Sequence, residues 1–197
     1  MANTAQNLTT GLAFTVTLFT TIQAVAAEDR PVTLVLHVED YARVPAADRS
    51  AAQAEVTRIY AAAGVRTVWA TGNDYSDAPG LHLRVILFSR DVAMPAIRAE
   101  AVPGSVLGLA VREAGRAYIL THRIANLAQR HGDEFRWLLG RVLAHEVGHL
   151  VLPDHSHSDQ GIMRANVGVR SKSDREFTTE QAVVIRSILS AAVDVGR

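Results

Sequence analysis

Stretches rich in β-branched and apolar residues alternate with a longer, more mixed stretch in the first half of the chain. The dense apolar stretches predict β-strands over 32–38, 66–70 and 81–88. The stretch 46–63 predicts a helix that ends at Gly64, because glycine readily adopts the left-handed conformation found at helix ends. The first half is therefore predicted to form a strand, helix, strand unit followed by a third strand.

The middle of the chain predicts a pair of strands and a short helix. Residues 106–111 and 116–120 are mostly apolar and flank 112–115, a segment with turn character. This pattern indicates a hairpin. A short helix is predicted over 124–130, immediately after the hairpin.

A longer helix is predicted between Asp133 and Pro153. Its interior has no proline, and one face would carry Leu138, Val142, His145 and His149. Asp133 follows a glycine and is the predicted N-cap. Pro153 is expected to end the helix, because its ring cannot continue the hydrogen-bond ladder.

A C-terminal helix is predicted to begin near residues 177–181, with Thr178 as its N-cap and Gln181 at the reciprocal capping position. The apolar residues expected to pack from this helix into the core are Val183, Val184, Ile185, Ile188 and Leu189. The complete order of elements predicts an α/β (α+β) fold, in which helices pack on a twisted mixed sheet.

Length and charge indicate one ordinary globular domain. The chain has 197 residues, close to the commonest domain size. Its 20 acidic and 20 basic residues balance, and no basic patch or stripe is evident in the sequence. We therefore expect no nucleic-acid partner.

The N-terminal segment resembles a secretory signal peptide. Residues 1–27 contain no charged side chain, 11–25 are mostly apolar, and small residues stand at 24–27. The absence of Lys and Arg before the apolar stretch leaves an uncleaved anchor as the alternative. We expect cleavage near Ala27 and a single domain over 28–197, with no stable membrane insertion afterwards.

The chain contains no cysteine, which excludes disulfides and thiolate metal ligands. Any metal would therefore be bound by histidine and carboxylate groups. Export without disulfides favours a bacterial protein that is secreted or periplasmic.

Residues 145–149 read His-Glu-Val-Gly-His, an H-E-x-x-H cluster typical of catalytic zinc sites. Positions four apart share one face of a helix, so His145 and His149 can direct ring nitrogens to one Zn²⁺ ion. Glu146 would then lie beside the ion, where a general base can take a proton from metal-activated water.

A catalytic zinc site usually has three protein ligands, and two histidines are candidates for the third. His155 has the spacing of the H-E-x-x-H-x-x-G-x-x-H pattern, so the segment resembles the metzincin metalloproteases. That pattern's glycine is replaced by Leu152, which precedes Pro153 and is expected to be extended.

His157 is the preferred third ligand. The segment from His145 to Met163 is similar to the pattern H-E-x-G-H-L-L-L-G-x-x-x-H-S-x-x-G-I-M of short exported bacterial proteins predicted to be metalloproteases. Pro153 replaces a glycine of that pattern. The resemblance implies that Met163 forms the Met-turn beneath the zinc, where a thioether packs against the ligand rings.

The resemblance implies a zincin-like domain with an active-site helix that acts as a zinc metallopeptidase. Glu146 would be the general base and would pass the proton on to the leaving amine. A peptide or protein substrate could pair with the edge segment 105–111 as an additional strand.

Two alternatives remain open at this stage. In the first, the protein is a non-catalytic zinc-binding module whose closed site uses His145, His149, His155 and His157. In the second, these histidines are surface residues of a binding domain. The number of nitrogen ligands around the metal distinguishes the enzyme from both alternatives.

Overall fold

The computed structural model of the protein describes residues 32–71, 78–89, 105–165 and 175–195. The strands within these ranges are β1 (Val32–Asp40), β2 (Val65–Thr71), β3 (Leu81–Phe88), β4 (Gly108–Val111) and β5 (Arg116–Leu120). The helices are α1 (Ala46–Ala62), α2 (Thr121–His131), α3 (Phe135–Val151) and α4 (Thr179–Val195).

The strands form one five-stranded sheet in the order β2-β1-β3-β5-β4. The pairs β1–β2, β1–β3 and β3–β5 are parallel, whereas β4 runs antiparallel to β5 at the edge. Gly108 stands opposite Ile119 and Val111 opposite Arg116. The predicted α/β class with a mixed sheet is therefore confirmed, and the arrangement is consistent with a zincin-like fold.

The main core lies on one face of the sheet. Alternate strand residues point to this face and pack against α1, α3 and α4; they include Leu34, Leu36, Leu83, Val85, Leu87, Ala117 and Ile119. A smaller cluster of Ile86, Phe88 and Tyr118 lies on the opposite face. Because successive side chains of a strand point to opposite faces, the apolar positions share the face that α3 covers. Most residues of α3 are buried there.

The predicted hairpin is confirmed, because β4 pairs antiparallel with β5. Its connection contains a 3₁₀ turn at Arg112–Ala114, which ends at Gly115 in the left-handed conformation. The structure corrects two other local predictions. Helix α3 has Glu134 as its N-cap, because Asp133 donates its backbone N–H to Ala128 and still belongs to the end of α2. Val183 is 53% exposed and does not join the core.

The predicted capping box of α4 is confirmed. The Thr178 N–H donates to Gln181 Oε1 over 3.1 Å, and the Gln181 N–H donates to Thr178 Oγ1 over 3.3 Å. These bonds satisfy two backbone donors at the start of the helix, and Ile185 and Leu189 then pack fully buried.

The predicted signal peptide, residues 1–27, lies outside the described residues, so its cleavage stays a prediction. Among the helices that the structure describes, none combines the length and apolar character required to span a membrane.

Candidate metal centre

Helix α3 presents His145 and His149 one turn apart, at its buried C-terminal end. Their Nε2 atoms lie 3.1 Å apart, with the ring centroids 4.7 Å apart and the rings nearly perpendicular. Only 4% of His145 is exposed, whereas His149 is half-buried. The two rings therefore converge at one point on the surface of the helix.

His157 reaches the same point from the loop that follows α3. Its Nε2 atom lies 3.0 Å from Nε2 of His149, and its ring lies 5.4 Å from that of His145. One ring nitrogen from each of the three residues falls within 4.8 Å of the others. This loop and α3 together assemble a three-histidine cluster.

His155 lies outside this cluster. Leu152 is extended, with φ −72° and ψ 155°, as expected for the residue before Pro153. The chain then turns at His155, which has a φ of 59° and an exposed side chain. The closed four-histidine site therefore finds no support in this geometry.

Hydrogen bonds orient two of the rings. Nδ1 of His145 lies 2.8 Å from the Ile162 carbonyl, which can only accept, so Nδ1 carries the proton and Nε2 offers a lone pair. Nδ1 of His149 lies 3.3 Å from Ser156 Oγ, which lets the same tautomer form there. Partners of this kind on the outer ring nitrogen are typical of metal-binding histidines.

Burial favours the neutral form of the His145 and His149 imidazoles. Burial lowers the pKa of His145 below its ordinary value. Burial, followed by the charges of His145, His157 and Arg112, lowers the pKa of His149 to about 4. Neutral imidazoles are the form in which histidine binds metals, because the coordinating nitrogen must have a free lone pair.

The donor set fits zinc. Three converging imidazole nitrogens without a thiolate match the ligands of catalytic zinc sites. Two nitrogen ligands about 2.1 Å from a tetrahedral ion would lie about 3.4 Å apart. The observed separations of 3.0 and 3.1 Å are close to that value.

Glu146 lies next to the histidines in a buried position and is only 7% exposed. Burial raises the pKa of its carboxyl to about 7, because desolvation disfavours the charged form. Near pH 7 such a carboxyl can either accept or donate a proton. This property is required of a group that acts first as a base and then as an acid.

Strand β4 passes directly against Glu146 at Gly108. A Cβ atom at this position would lie 2.5 Å from Cγ and 2.8 Å from Oε1 of Glu146. Glycine is therefore required here so that the edge strand can approach the carboxyl. Residue 108 was predicted to lie in the edge segment, but its contact with Glu146 was not predicted. A glycine within a strand is the sequence signal that could have indicated such a close approach.

We expect Gly108→Ala to reduce peptide hydrolysis by about 10²-fold, because the added methyl group must displace the carboxyl of Glu146 or the strand. Zinc content should remain unchanged, since the three atoms nearest to this methyl group's position all belong to Glu146 and none to a histidine. Steady-state kinetics and metal analysis of the purified variant measure both quantities. The double variant Gly108→Ala/Glu146→Gln should hydrolyse peptides no more slowly than Glu146→Gln alone. If the two losses of rate were additive, Gly108→Ala would not act through the carboxyl of Glu146.

Met163 lies in a turn beneath α3. The turn is closed by the Arg164 N–H, which donates to the Gly161 carbonyl over 3.4 Å, and Gly161 has a φ of 76°. The Met163 side chain is fully buried, and its Sδ atom would lie 2.5 Å from a Cβ at position 148. Gly148 thus allows the thioether to pack closely against the helix beside His149.

Arg112 connects the end of β4 with the C-terminus of α3. Its guanidinium donates to the carbonyl oxygens of Leu150 and Leu152, and it forms an ion pair with Asp154 at 3.5 Å. Carbonyls at a helix C-terminus have no partners within the helix, so a cation is favoured there. Spacing along the chain offered no signal for this contact.

A cleft of about 900 Å³ opens over the histidine cluster. Its walls are formed by β4 and by one face of α2, and its floor includes His145, Glu146 and His149. His157 and His155 also line the cleft. A peptide-sized ligand can therefore reach both the cluster and the buried carboxyl.

No family model and no curated protein matches this sequence. The solved structures that are similar to it include two at 16% sequence identity. A zinc-dependent peptidase from Methanocorpusculum labreanum matches with a TM-score of 0.48 over 77% of this chain and 99% of that chain. A protein from Thermotoga maritima matches with a TM-score of 0.39 over 83% of this chain and 91% of that chain. A shared fold does not by itself imply a shared function.

Proposed function

We propose that this protein is a zinc-dependent endopeptidase that hydrolyses peptide bonds in the cleft between β4 and α2. The observation that carries the proposal is the convergence of three imidazole nitrogens beside the buried carboxyl of Glu146. A purely structural metal site would not require an acidic residue of this kind next to the ligands.

His145, His149 and His157 would hold the ion through their Nε2 atoms. When bound, zinc acts as a Lewis acid that polarises a carbonyl and makes water more acidic. The Ile162 carbonyl holds His145 in the required tautomer, and the Ser156 hydroxyl is placed to accept from Nδ1 of His149 in the same tautomer. These contacts prepare the site before a substrate arrives.

Glu146 handles the protons of the reaction. Its carboxylate accepts a proton from the attacking water, and the resulting carboxylic acid donates that proton to the leaving amine nitrogen. Burial raises the pKa of this carboxyl, which makes its carboxylate a stronger base toward that water. Contact with Gly108 holds the carboxyl beside the edge strand.

Strand β4 provides the surface on which an extended peptide would align. It is the last strand in the sheet order and pairs with β5 on one side, while its residues line the cleft. Leu109, on this strand, is 40% exposed. Backbone hydrogen bonds to β4 would place the scissile carbonyl near Glu146 and favour an extended substrate.

We expect the purified protein to cleave members of a degenerate peptide library at internal bonds. Removing the metal with a chelator should abolish cleavage, and one equivalent of zinc should restore it. Mass spectrometry of the products locates the cleaved bonds. Cleavage that persists after complete removal of metal, or a zinc-loaded protein that cleaves no peptide, would contradict the proposed function.

A further inference from the structure

Gln181 makes contacts beyond its capping box. Its side-chain Oε1 accepts the Thr178 N–H, whereas its Nε2 donates to the Ser156 carbonyl and to Ser158 Oγ, each over 3.1 Å. The orientation of the amide is determined by its partners, because a backbone N–H can only donate and a carbonyl can only accept. One side chain therefore links the start of α4 to a loop far away in sequence.

The two loop residues held by Gln181 are the neighbours of His157. The same loop segment is tied to the rest of the site by Ser158, whose N–H donates to the Met163 carbonyl over 3.1 Å. Ser156 Oγ also lies 3.3 Å from Nδ1 of His149. The amide of Gln181 thus forms hydrogen bonds with the residues on both sides of His157.

His157 depends on such contacts more than the other two histidines do. His145 and His149 are positioned by the hydrogen-bond ladder of α3, which ends at Val151. His157 lies six residues beyond that end, in a segment without regular secondary structure, and its side chain is exposed. The backbone of this segment therefore depends on hydrogen bonds from residues outside it, among them those of Gln181 and Met163.

We propose that Gln181 is a positioning residue for the third metal ligand, so that docking of α4 sets the metal affinity of the site. This inference rests on the proposed zinc site. Contacts that orient a ligand from outside the coordination shell commonly change metal affinity by about 10–100-fold.

Gln181→Glu tests the inference, because it separates the two functions of the side chain. A carboxylate oxygen can still accept the Thr178 N–H, and a negative charge at a helix N-terminus is favourable. The other oxygen would face the Ser156 carbonyl, where it can only repel. We expect the zinc dissociation constant to rise about 10–100-fold, while the melting temperature of the metal-free protein changes by less than about 2 °C.

Two further variants serve as controls. Gln129→Glu makes the same chemical change at an exposed position of α2 and should bind zinc as the wild type does. Thr178→Ala removes the hydroxyl that caps α4 but leaves the amide contacts with the loop. It should lower the melting temperature by about 2–6 °C and change the zinc dissociation constant less than about twofold.

Competition between the metal-free proteins and a zinc-sensitive chromophore measures the dissociation constants, and the visible spectrum of bound Co²⁺ reports the coordination of the third imidazole. Wild-type affinity and spectrum in Gln181→Glu would overturn the inference while leaving the proposed function intact. Equal weakening in Gln181→Glu and Thr178→Ala would also overturn it, since general destabilisation would then be the cause. A wild-type protein that binds no zinc would overturn both proposals.

Discussion

Glu146→Gln is expected to lower kcat/KM for peptide hydrolysis by about 10³–10⁴-fold while the protein keeps one equivalent of zinc. The amide has nearly the same size as the carboxyl and fits the space beside Gly108. It cannot accept a proton at neutral pH, so the attacking water loses its base and the leaving amine loses its acid. Steady-state kinetics on a cleaved peptide, together with metal analysis, measure the two effects.

Glu113→Gln is the matched control, because Glu113 also lines the cleft but is exposed. Its kcat/KM should stay within about threefold of the wild-type value. Near-wild-type hydrolysis by Glu146→Gln would eliminate the mechanism. Loss of zinc from this variant would instead assign Glu146 to the metal, and the proton-transfer role would then have to be abandoned.

His157→Ala is expected to raise the zinc dissociation constant more than the loss of a contact outside the coordination shell does. Losing such a contact costs about 10–100-fold in affinity. His149→Ala should do the same, since each change removes one of three converging nitrogens. His155→Ala should bind one equivalent of zinc as the wild type does, because His155 lies outside the cluster. Isothermal titration of the metal-free proteins with zinc gives both affinity and stoichiometry.

The pair His155→Ala and His157→Ala forms the critical comparison, because both residues are exposed histidines of one loop. A general effect of losing an imidazole would appear in both variants. Zinc loss from His155→Ala alone would transfer the role of third ligand to His155, and loss from both would favour the closed site. Either result would contradict the assignment of His145, His149 and His157 as the metal ligands.

Local sequence signals were sufficient for most of the fold. The strands over 81–88 and 116–120 were predicted with their observed bounds, because dense β-branched and apolar residues are bordered by turn residues. The capping box at Thr178 was predicted because its two residues interact at a fixed spacing. Predictions failed where neighbouring elements compete for a residue, as at Asp133, which closes α2 instead of opening α3.

The candidate site was only partly accessible from sequence. His145, Glu146 and His149 lie on one helix, so their relative positions follow from helical geometry. The choice between His155 and His157 depends on the path of a loop, and the sequence left both open. The contacts of Gly108, Arg112 and Gln181 join segments that are distant in the chain, and no spacing rule predicts such pairs.

Gln181 lies 24 residues after His157 in the sequence and therefore follows all three histidines of the cluster. During translation, residues 145–157 leave the ribosome before Gln181 does. A nascent chain therefore carries all three histidines of the cluster while the loop around His157 still lacks its contacts with α4. If Gln181 positions His157 as proposed, such a chain binds a metal ion more weakly than the finished protein in which α4 has docked.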